Sequence, residues 1–361
     1  MRALILGVGR MGKTIVYAMG KLGHEVAGAD SFEAAAEGLD KEVTFYSGND
    51  CSINAIRDFE PDVVISSLPY HQLEEPAKYC IDNGVRYCDL GGRVDISASI
   101  NEYAKEKATK PIMTDLGLAP GLVNILAEWG CSKVHSNIDE IKMMVGGLPA
   151  IKTNPPLNYA VTWSVDGLIN EYKDDCEVLI DGKIETVKGM DGREKVSFEL
   201  MGDEKLEAFY TSGGASHTIK TMQERGVKDC SYKTIRYDGH RDVIRFLIRN
   251  AELSKSCLET IFHNGCEDST GDIVLVKAQV RAGEILWNKE IIIGYDSEFS
   301  AMQKATAFSI SSVASIIGNG KLEGDKEQSG DRWEQYSKTL SYADVPFDEF
   351  NKNLKELGIE V

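Results

Sequence analysis

A strand, a glycine-rich turn and a helix open the chain, and this arrangement constrains the fold more than any other feature. The three segments are Ala3–Leu6, Gly7-Val8-Gly9-Arg10-Met11-Gly12 and Lys13–Leu22. Gly7 permits a tight bend, Gly9 lets the backbone approach a pyrophosphate, and Gly12 lets the helix lie close to the strand. The pattern therefore predicts a dinucleotide site at the first βα turn.

An acidic residue stands at the distance that such a site requires. Asp30 follows the apolar run Val26–Ala29, and a carboxylate there can accept hydrogen bonds from a ribose 2′-hydroxyl, which favours NAD and makes NADP the weaker candidate. The loop after the third strand carries Asp50 toward the adenine, and the loop after the fourth strand lies beside the ribose and nicotinamide. The predicted cofactor-binding residues are Gly7, Gly9, Arg10, Met11, Gly12, Asp30, Asp50, Ser67, Leu68 and Pro69.

The pattern of apolar runs predicts an α/β protein with two kinds of sheet. The first 115 residues alternate short apolar runs with helical stretches, which is typical of a doubly wound parallel Rossmann sheet with strand order 3-2-1-4-5-6. Alternating strands and an Asp181-Gly182 hairpin signal follow, and they predict an α+β domain with a mixed, mainly antiparallel sheet. The predicted domains are a Rossmann domain at 1–118, a substrate and dimerisation domain at 119–297, and C-terminal helices at 298–361 that return to the first domain.

The C-terminal segment contains three predicted elements. Glu298–Ile317 is rich in small residues and is expected to be one buried helix. Lys321–Gly330 is polar and is expected to be a loop, and Phe347–Leu357 has the period of an amphipathic helix.

Composition excludes several classes of function. The 361 residues carry a net charge of −17, which argues against nucleic acid or an anionic membrane as a partner. No apolar run approaches the ~18 residues of a membrane span, and Met1 leads directly into a strand, so we expect a cytoplasmic protein without a signal peptide. None of the eight cysteines forms a CxxC pair or a Cys/His spacing typical of zinc, so we expect reduced thiols and no metal site.

Candidate catalytic residues lie in loops after the Rossmann strands and in the second domain. They are His71, His240 and Asp115. Either histidine can act as a general base near neutral pH, but His71 is also a plausible turn residue and His240 a plausible first residue of a helix. Asp115 can serve the reaction cleft or can hold its own loop.

Candidate substrate-binding residues come from the second domain, which we expect to form the other wall of the cleft. They are Arg236, Tyr159, Trp163 and Thr211. The guanidinium of Arg236 is a suitable fork for a substrate carboxylate, although a surface salt bridge is an equally good interpretation. Tyr159 and Trp163 are either pocket wall or, more often for such residues, core packing.

Several of these segments together resemble the saccharopine dehydrogenase superfamily, and within it the lysine 6-dehydrogenase branch. They are Gly117-Leu-Ala-Pro-Gly121, Gly146-Gly147-Leu-Pro149, Asn158-Tyr159 with Trp163-Ser164, and Lys233-Thr-Ile-Arg-Tyr237 with Gly239-His240. Saccharopine reductases typically have an aspartate where this chain has Ala119, which puts saccharopine itself in doubt as the substrate. The resemblance implies a Rossmann fold, a nicotinamide cofactor, a small amine or amino-acid substrate and a homodimer.

Three hypotheses of function follow. In the first, the terminal ammonium of L-lysine or a close relative loses a proton, the adjacent carbon transfers a hydride to NAD, and water hydrolyses the imine to release ammonia. This reaction requires a base and a positive group for the carboxylate. In the second, the flow is reversed in an NAD(P)H-dependent reductive condensation of the saccharopine or carboxynorspermidine type. In the third, the chain is a dinucleotide-binding sensor without catalysis.

Overall fold

The computed structural model describes residues 1–134, 136–153, 155–266, 271–322 and 339–361. These residues form two compact units, the first made of Met1–Gly117 and Thr306–Val361 and the second of Leu118–Ala305. The predicted loop Lys321–Gly330 lies outside the described residues from position 323 onward.

Six parallel strands form the sheet of the first unit in the order β3-β2-β1-β4-β5-β6, which confirms the predicted doubly wound topology. The strands are β1 (Arg2–Leu6), β2 (Glu25–Asp30), β3 (Thr44–Ser47), β4 (Val63–Ser66), β5 (Arg86–Asp89) and β6 (Ile112–Met113). Four helices alternate with them: α1 (Arg10–Lys21), α2 (Cys51–Phe59), α3 (Glu74–Asp82) and α4 (Val94–Lys107). Because the strand order reverses between β1 and β4, the loops at the carboxyl ends of these strands form the edge where a dinucleotide binds.

The second unit contains an eight-stranded sheet that is antiparallel except for the pair β7 and β12. The strands are β7 (Glu140–Pro149), β8 (Asp175–Ile180), β9 (Lys183–Lys188), β10 (Glu194–Val196), β11 (Leu206–Tyr210), β12 (Asp229–Tyr237), β13 (Asp272–Ala282) and β14 (Ile285–Gly294). Six of them run in the order β10-β11-β12-β7-β13-β14, and β8 joins β12 to the hairpin partner β9. That hairpin turns at Asp181 (φ +48°) and Gly182 (φ +76°), as the Asp-Gly signal predicts.

Helices cover one face of this sheet around Arg236. They are α5 (Leu122–Lys133), α6 (Val165–Lys173), α7 (Thr218–Glu224), α8 (His240–Arg245) and α9 (Lys255–Gly265). Because side chains alternate along a strand, Thr234 and Arg236 of β12 share one face. Tyr172 of α6 and Phe262 of α9 pack with Phe209 of β11 in the buried apolar cluster on that face.

The segment predicted as a single helix at 298–317 contains a π-helical interruption. It consists of α10 (Ala301–Gln303), a π turn at Lys304–Phe308 and α11 (Ser309–Gly318), with α12 (Phe347–Leu357) at the end of the chain. The carboxylate of Asp272 on β13 accepts hydrogen bonds from the N–H groups of Ala301 (2.7 Å) and Met302 (2.9 Å), so α10 is anchored to the second unit. The boundary between the units therefore falls inside the helical segment, at Ala305.

Candidate functional site

The glycine turn, Gly7–Gly12, has the backbone geometry that a pyrophosphate site needs. Gly7 has a φ of +81°, which favours glycine, and Gly9 precedes α1 in an extended conformation with open space around its Cα. A Cβ on Gly12 would lie 1.9 Å from the carbonyl oxygen of Gly7, so the helix packs against the turn as closely as a glycine permits. The N-terminus of α1 is thereby exposed at the edge of the sheet, where it can bind phosphate.

Asp30 closes this edge with a carboxylate held by two backbone groups. Its Oδ2 accepts a hydrogen bond from the N–H of Val8 over 2.8 Å, and its Oδ1 accepts one from the N–H of Phe32 over 3.0 Å. Each oxygen retains a lone pair, so the carboxylate can still accept from ribose hydroxyls. Asp50 is exposed on the neighbouring strand end and has a φ of +56°.

The loop after β4 supports the turn from the other side. The Ser67 hydroxyl donates to the Gly7 carbonyl over 2.7 Å, and the Leu68 side chain lies beside Gly7. Pro69 and His71 are exposed, and the His71 ring stands edge-on to Tyr70 with 5.5 Å between ring centroids. Arg10 is exposed and Met11 half-buried at the start of α1. The structure thus brings the predicted cofactor-binding residues together along the carboxyl ends of β1 to β4.

Asp115 is buried, and its backbone N–H is bonded to a second buried carboxyl group, that of Asp89. Its Oδ1 accepts from the Ser97 hydroxyl over 2.7 Å, and its N–H donates to Oδ1 of Asp89 over 3.0 Å. Burial, followed by the proximity of Asp115, raises the pKa of Asp89 to about 7. Gly91 also donates to Asp89 Oδ1 over 2.8 Å. This geometry gives Asp115 the role of holding the loops after β5 and β6.

In the second unit, Arg236 is the centre of a buried group that we call the arginine cluster: Arg236, Tyr172, Tyr159 and His240. The guanidinium donates from Nε to the Tyr172 hydroxyl over 2.8 Å and from Nη1 to the Ile235 carbonyl over 2.9 Å. It also lies 4.8 Å from the ring centroid of Tyr159. Arg236 is 3% exposed, so the surface salt bridge is not its role. Burial works to lower its pKa, but the tyrosines and Glu171 outweigh that effect and raise it.

His240 is fully buried within the arginine cluster. Its Nδ1 lies 2.8 Å from the Leu157 carbonyl and its Nε2 lies 3.1 Å from the Tyr172 hydroxyl. A carbonyl can only accept, so the proton is on Nδ1 and Tyr172 donates to Nε2. Burial and the charge of Arg236 lower the pKa of His240 to about 3. The geometry therefore gives His240 a positioning role, because both nitrogens are already engaged and no surface is exposed to a substrate.

Of the other predicted substrate residues, Thr211 binds a carboxylate that sequence reasoning missed. Thr211 is buried, and its hydroxyl donates to Oε1 of Glu171 over 2.9 Å. Thr234 donates to the same oxygen over 2.5 Å. Trp163 is half-buried against Gly167, whereas Tyr159 is fully buried in the apolar cluster. The available signal for Glu171 was its place beside Tyr172 on a helix whose other inward residues are apolar.

A salt-bridge network fixes the turn between Arg236 and His240. Glu207 stands directly opposite Arg236 in the register of β11 and β12 and is fully buried. Its carboxylate accepts from Arg193 Nε over 2.6 Å and from the N–H of Arg241 over 2.8 Å. Glu207 is therefore neutralised by Arg193 and does not pair with Arg236.

The opposite face of the same sheet has a cavity of about 210 Å³ that no predicted site residue lines. Lys233 there is bonded to Glu194, and Lys142 lies 3.2 Å from the same carboxylate. Lys142 also lies 3.7 Å from Glu140, so both lysines of this cavity already have carboxylate partners. Across the described ranges, no group of three or more His, Cys, Asp or Glu side chains could hold a metal ion. The helices of the same ranges are all too short or too polar to cross a membrane.

These features define a dinucleotide-binding Rossmann unit joined to an α+β unit with a buried arginine. A family model described as saccharopine dehydrogenase C-terminal domain matches residues 117–340. The chain belongs to this family. The resemblance of the motifs to the lysine 6-dehydrogenase branch is a narrower assignment than this family match.

Comparison with curated proteins gives two saccharopine dehydrogenases and an alpha-aminoadipic semialdehyde synthase among the relatives. A saccharopine dehydrogenase [NADP(+), L-glutamate-forming] from Schizosaccharomyces pombe is 25% identical over 204 residues, covering 55% of this chain and 45% of the relative. Its Saccharomyces cerevisiae counterpart is 32% identical over 136 residues, covering 36% and 30%. The rat mitochondrial alpha-aminoadipic semialdehyde synthase is 32% identical over 134 residues, covering 36% and 14%. The chain thus matches less than half the length of these relatives.

A solved structure shares the fold over nearly the whole chain. Apo histidine-tagged saccharopine dehydrogenase (L-Glu forming) from Saccharomyces cerevisiae superposes with a TM-score of 0.74, covering 99% of this chain and 98% of that one. The sequence identity is 16%, so the match shows a common architecture.

Proposed function

We propose that this protein is a nicotinamide-dinucleotide-dependent oxidoreductase that oxidises the terminal amine of L-lysine or a closely related amino acid. The observation that carries the proposal is the state of Arg236. A guanidinium has five N–H groups, and only two of those of Arg236 donate to described residues. A buried, incompletely bonded cation is costly unless a ligand anion completes it, so we assign it to the substrate carboxylate.

In this proposal, the residues of the first unit bind the cofactor. A bound nicotinamide dinucleotide would supply the hydride acceptor. The glycine turn would hold the pyrophosphate, and the Asp30 carboxylate would accept from the adenosine ribose. We propose NAD over NADP because Asp30 is followed by the exposed acidic residue Glu33, and both would repel a 2′-phosphate. The fungal relatives carry NADP(+) in their names, so the proposed preference for NAD rests on Asp30 and Glu33 of this chain alone.

Proton removal from the amine needs a group other than His240. A protonated amine cannot release hydride from its adjacent carbon, so a base must accept a proton first. His71 is exposed on the loop after β4, beside the edge that carries the other cofactor residues, and we propose it for this role. Arg236 of the second unit would bind the substrate carboxylate, and this contact would orient the bound substrate. We also propose a homodimer, for which light scattering gives the test.

A panel of amines with NAD tests the assignment. L-lysine is expected to produce the near-ultraviolet absorbance of NADH. Arg236→Met should lower kcat/KM for L-lysine by about 100-fold or more, while cadaverine, which has no carboxylate, should change by only a few-fold. Arg225→Met, an exposed arginine of the same unit, is the matched control. Absence of NADH formation with every diamine and amino acid of the panel would refute the proposed reaction.

A reductive condensation is the second candidate, and the names of the relatives favour it. It predicts faster turnover of NADPH with an amine and an aldehyde or keto acid than of NAD with lysine alone. A titration with both cofactors in both directions separates the two reactions.

A further inference from the structure

Glu171 of α6 is a carboxyl group that makes no ion pair with a described residue. Its Oε1 accepts from Thr211 and Thr234, and no described residue donates to its Oε2. No lysine, arginine or histidine of the described ranges lies within ion-pair distance of it. The side chain is half-buried, so water does not fully replace such a partner.

Glu171 and Arg236 lie on the same face of the sheet but do not pair with each other. Thr234, which binds Glu171, and Arg236 alternate on β12 and therefore point to the same side. The next residue of α6, Tyr172, takes the Nε–H of Arg236 instead. Burial lowers the pKa of Arg236, but the two tyrosines and then Glu171 raise it. Glu171 therefore lies close enough to interact with the guanidinium.

Arg236 is buried and Glu171 is half-buried, and neither makes an ion pair with a described residue, which is unfavourable in the free protein. A second carboxylate on this face, that of Glu207, is already bound by Arg193 and by the N–H of Arg241. A ligand that carries both a carboxylate and an ammonium would neutralise both charges at once. In an α-amino acid the two groups are attached to one carbon, which suits an anion bonded to Thr234 and a cation two residues further along the same strand.

We propose that Glu171 binds the α-ammonium group of an α-amino acid whose carboxylate is bound by Arg236. This inference rests on the role of Arg236 in the proposed function. It defines the substrate class as free α-amino acids and excludes diamines and ω-amino acids as good substrates. Thr211 and Thr234 hold the Glu171 carboxylate and act as positioning residues.

Binding of L-norleucine and hexanoate to the full-length protein, measured by calorimetry, tests the inference without any turnover. The two ligands have the same carbon chain and carboxylate, and they differ in the α-ammonium. Neither has a terminal amine, so a role of Glu171 at that end of the substrate would leave both unaffected. The wild-type protein should bind L-norleucine about 10- to 100-fold more tightly than hexanoate.

Glu171→Gln should reduce that ratio to within about 3-fold, mainly by weakening L-norleucine. Glu177→Gln, an exposed glutamate on β8, is the matched control and should retain the wild-type ratio. A variant that weakens both ligands equally, or neither, overturns the inference, as does failure of the wild-type protein to bind L-norleucine. If L-norleucine binds selectively but no amine reduces NAD, the inference stands and the proposed reaction fails.

Discussion

The glycine turn and the arginine cluster are both candidate binding sites, but they are built from different parts of the chain. The turn is a backbone structure within six consecutive residues, fixed by the φ of Gly7 and the close packing of Gly12. The cluster is a side-chain structure, in which Tyr172 and Arg236 are 64 residues apart and Tyr172 and His240 are 68 apart. A local motif reveals the first kind of site, and tertiary packing alone assembles the second.

The two regions also differ in the charge that they bury. Asp89 of the first unit is a carboxyl group whose pKa is raised, first by burial and then by Asp115. The second unit buries the cation Arg236, which helps to lower the pKa of His240 after burial itself. Each unit should therefore respond to pH and to substitution in its own way.

The largest expected effect belongs to the backbone site. In Gly12→Ala the new Cβ must move away from the Gly7 carbonyl, which distorts the turn and costs about 3 kcal/mol or more. We expect NADH binding, measured by fluorescence titration, to weaken by about 100-fold. Gly20→Ala in the same helix meets no atom within 4 Å and should stabilise the protein by about 0.5–1 kcal/mol without changing NADH affinity. Wild-type affinity in Gly12→Ala would show that the turn is not the cofactor site.

The next effect is an opposite pH response of the two units. Between pH 4 and pH 6.5, folded Asp89 keeps a proton that the unfolded chain releases, so the first unit becomes less stable as pH rises. Over the same range His240 is protonated in the unfolded chain but stays neutral in the folded protein. The unfolded chain therefore loses this proton as pH rises, and the second unit becomes more stable. Each change amounts to roughly 3 kcal/mol over this interval.

Hydrogen exchange of amides in β1 and in β12, corrected for intrinsic rates, reads the two units separately. Asp89→Asn should flatten the pH profile of β1 alone, and His240→Gln that of β12 alone. Parallel profiles in the two wild-type strands would contradict the burial that both assignments require.

The fold could be predicted because its determinants are local. Apolar periodicity and right-handed crossovers led to the order of the Rossmann strands, and the period of Phe347–Leu357 gave that helix its observed bounds. The π turn at Lys304–Phe308 could not be predicted, because it does not change the helical pattern of small residues.

The second site could be predicted only in part. Arg236 was identified by its chemistry, but burial turned His240 from a candidate base into a positioning residue. Glu171 was missed because a glutamate on a helix is usually solvated, and its partners Thr211 and Thr234 are 40 and 63 residues away. No local pattern shows that these three side chains meet.

Deleting one hydroxyl from each region gives the smallest and most direct comparison. Tyr172→Phe leaves a buried Arg236 Nε–H without its acceptor and His240 Nε2 without its donor, which should cost about 2 kcal/mol. Ser67→Ala removes one bond to the Gly7 carbonyl, but the glycines still fix the turn, so we expect about 1 kcal/mol. Native-state hydrogen exchange of β12 and β1 measures the two losses independently. If Ser67→Ala proves as costly as Tyr172→Phe, side chains hold both sites, and the distinction between a backbone site and a side-chain site fails.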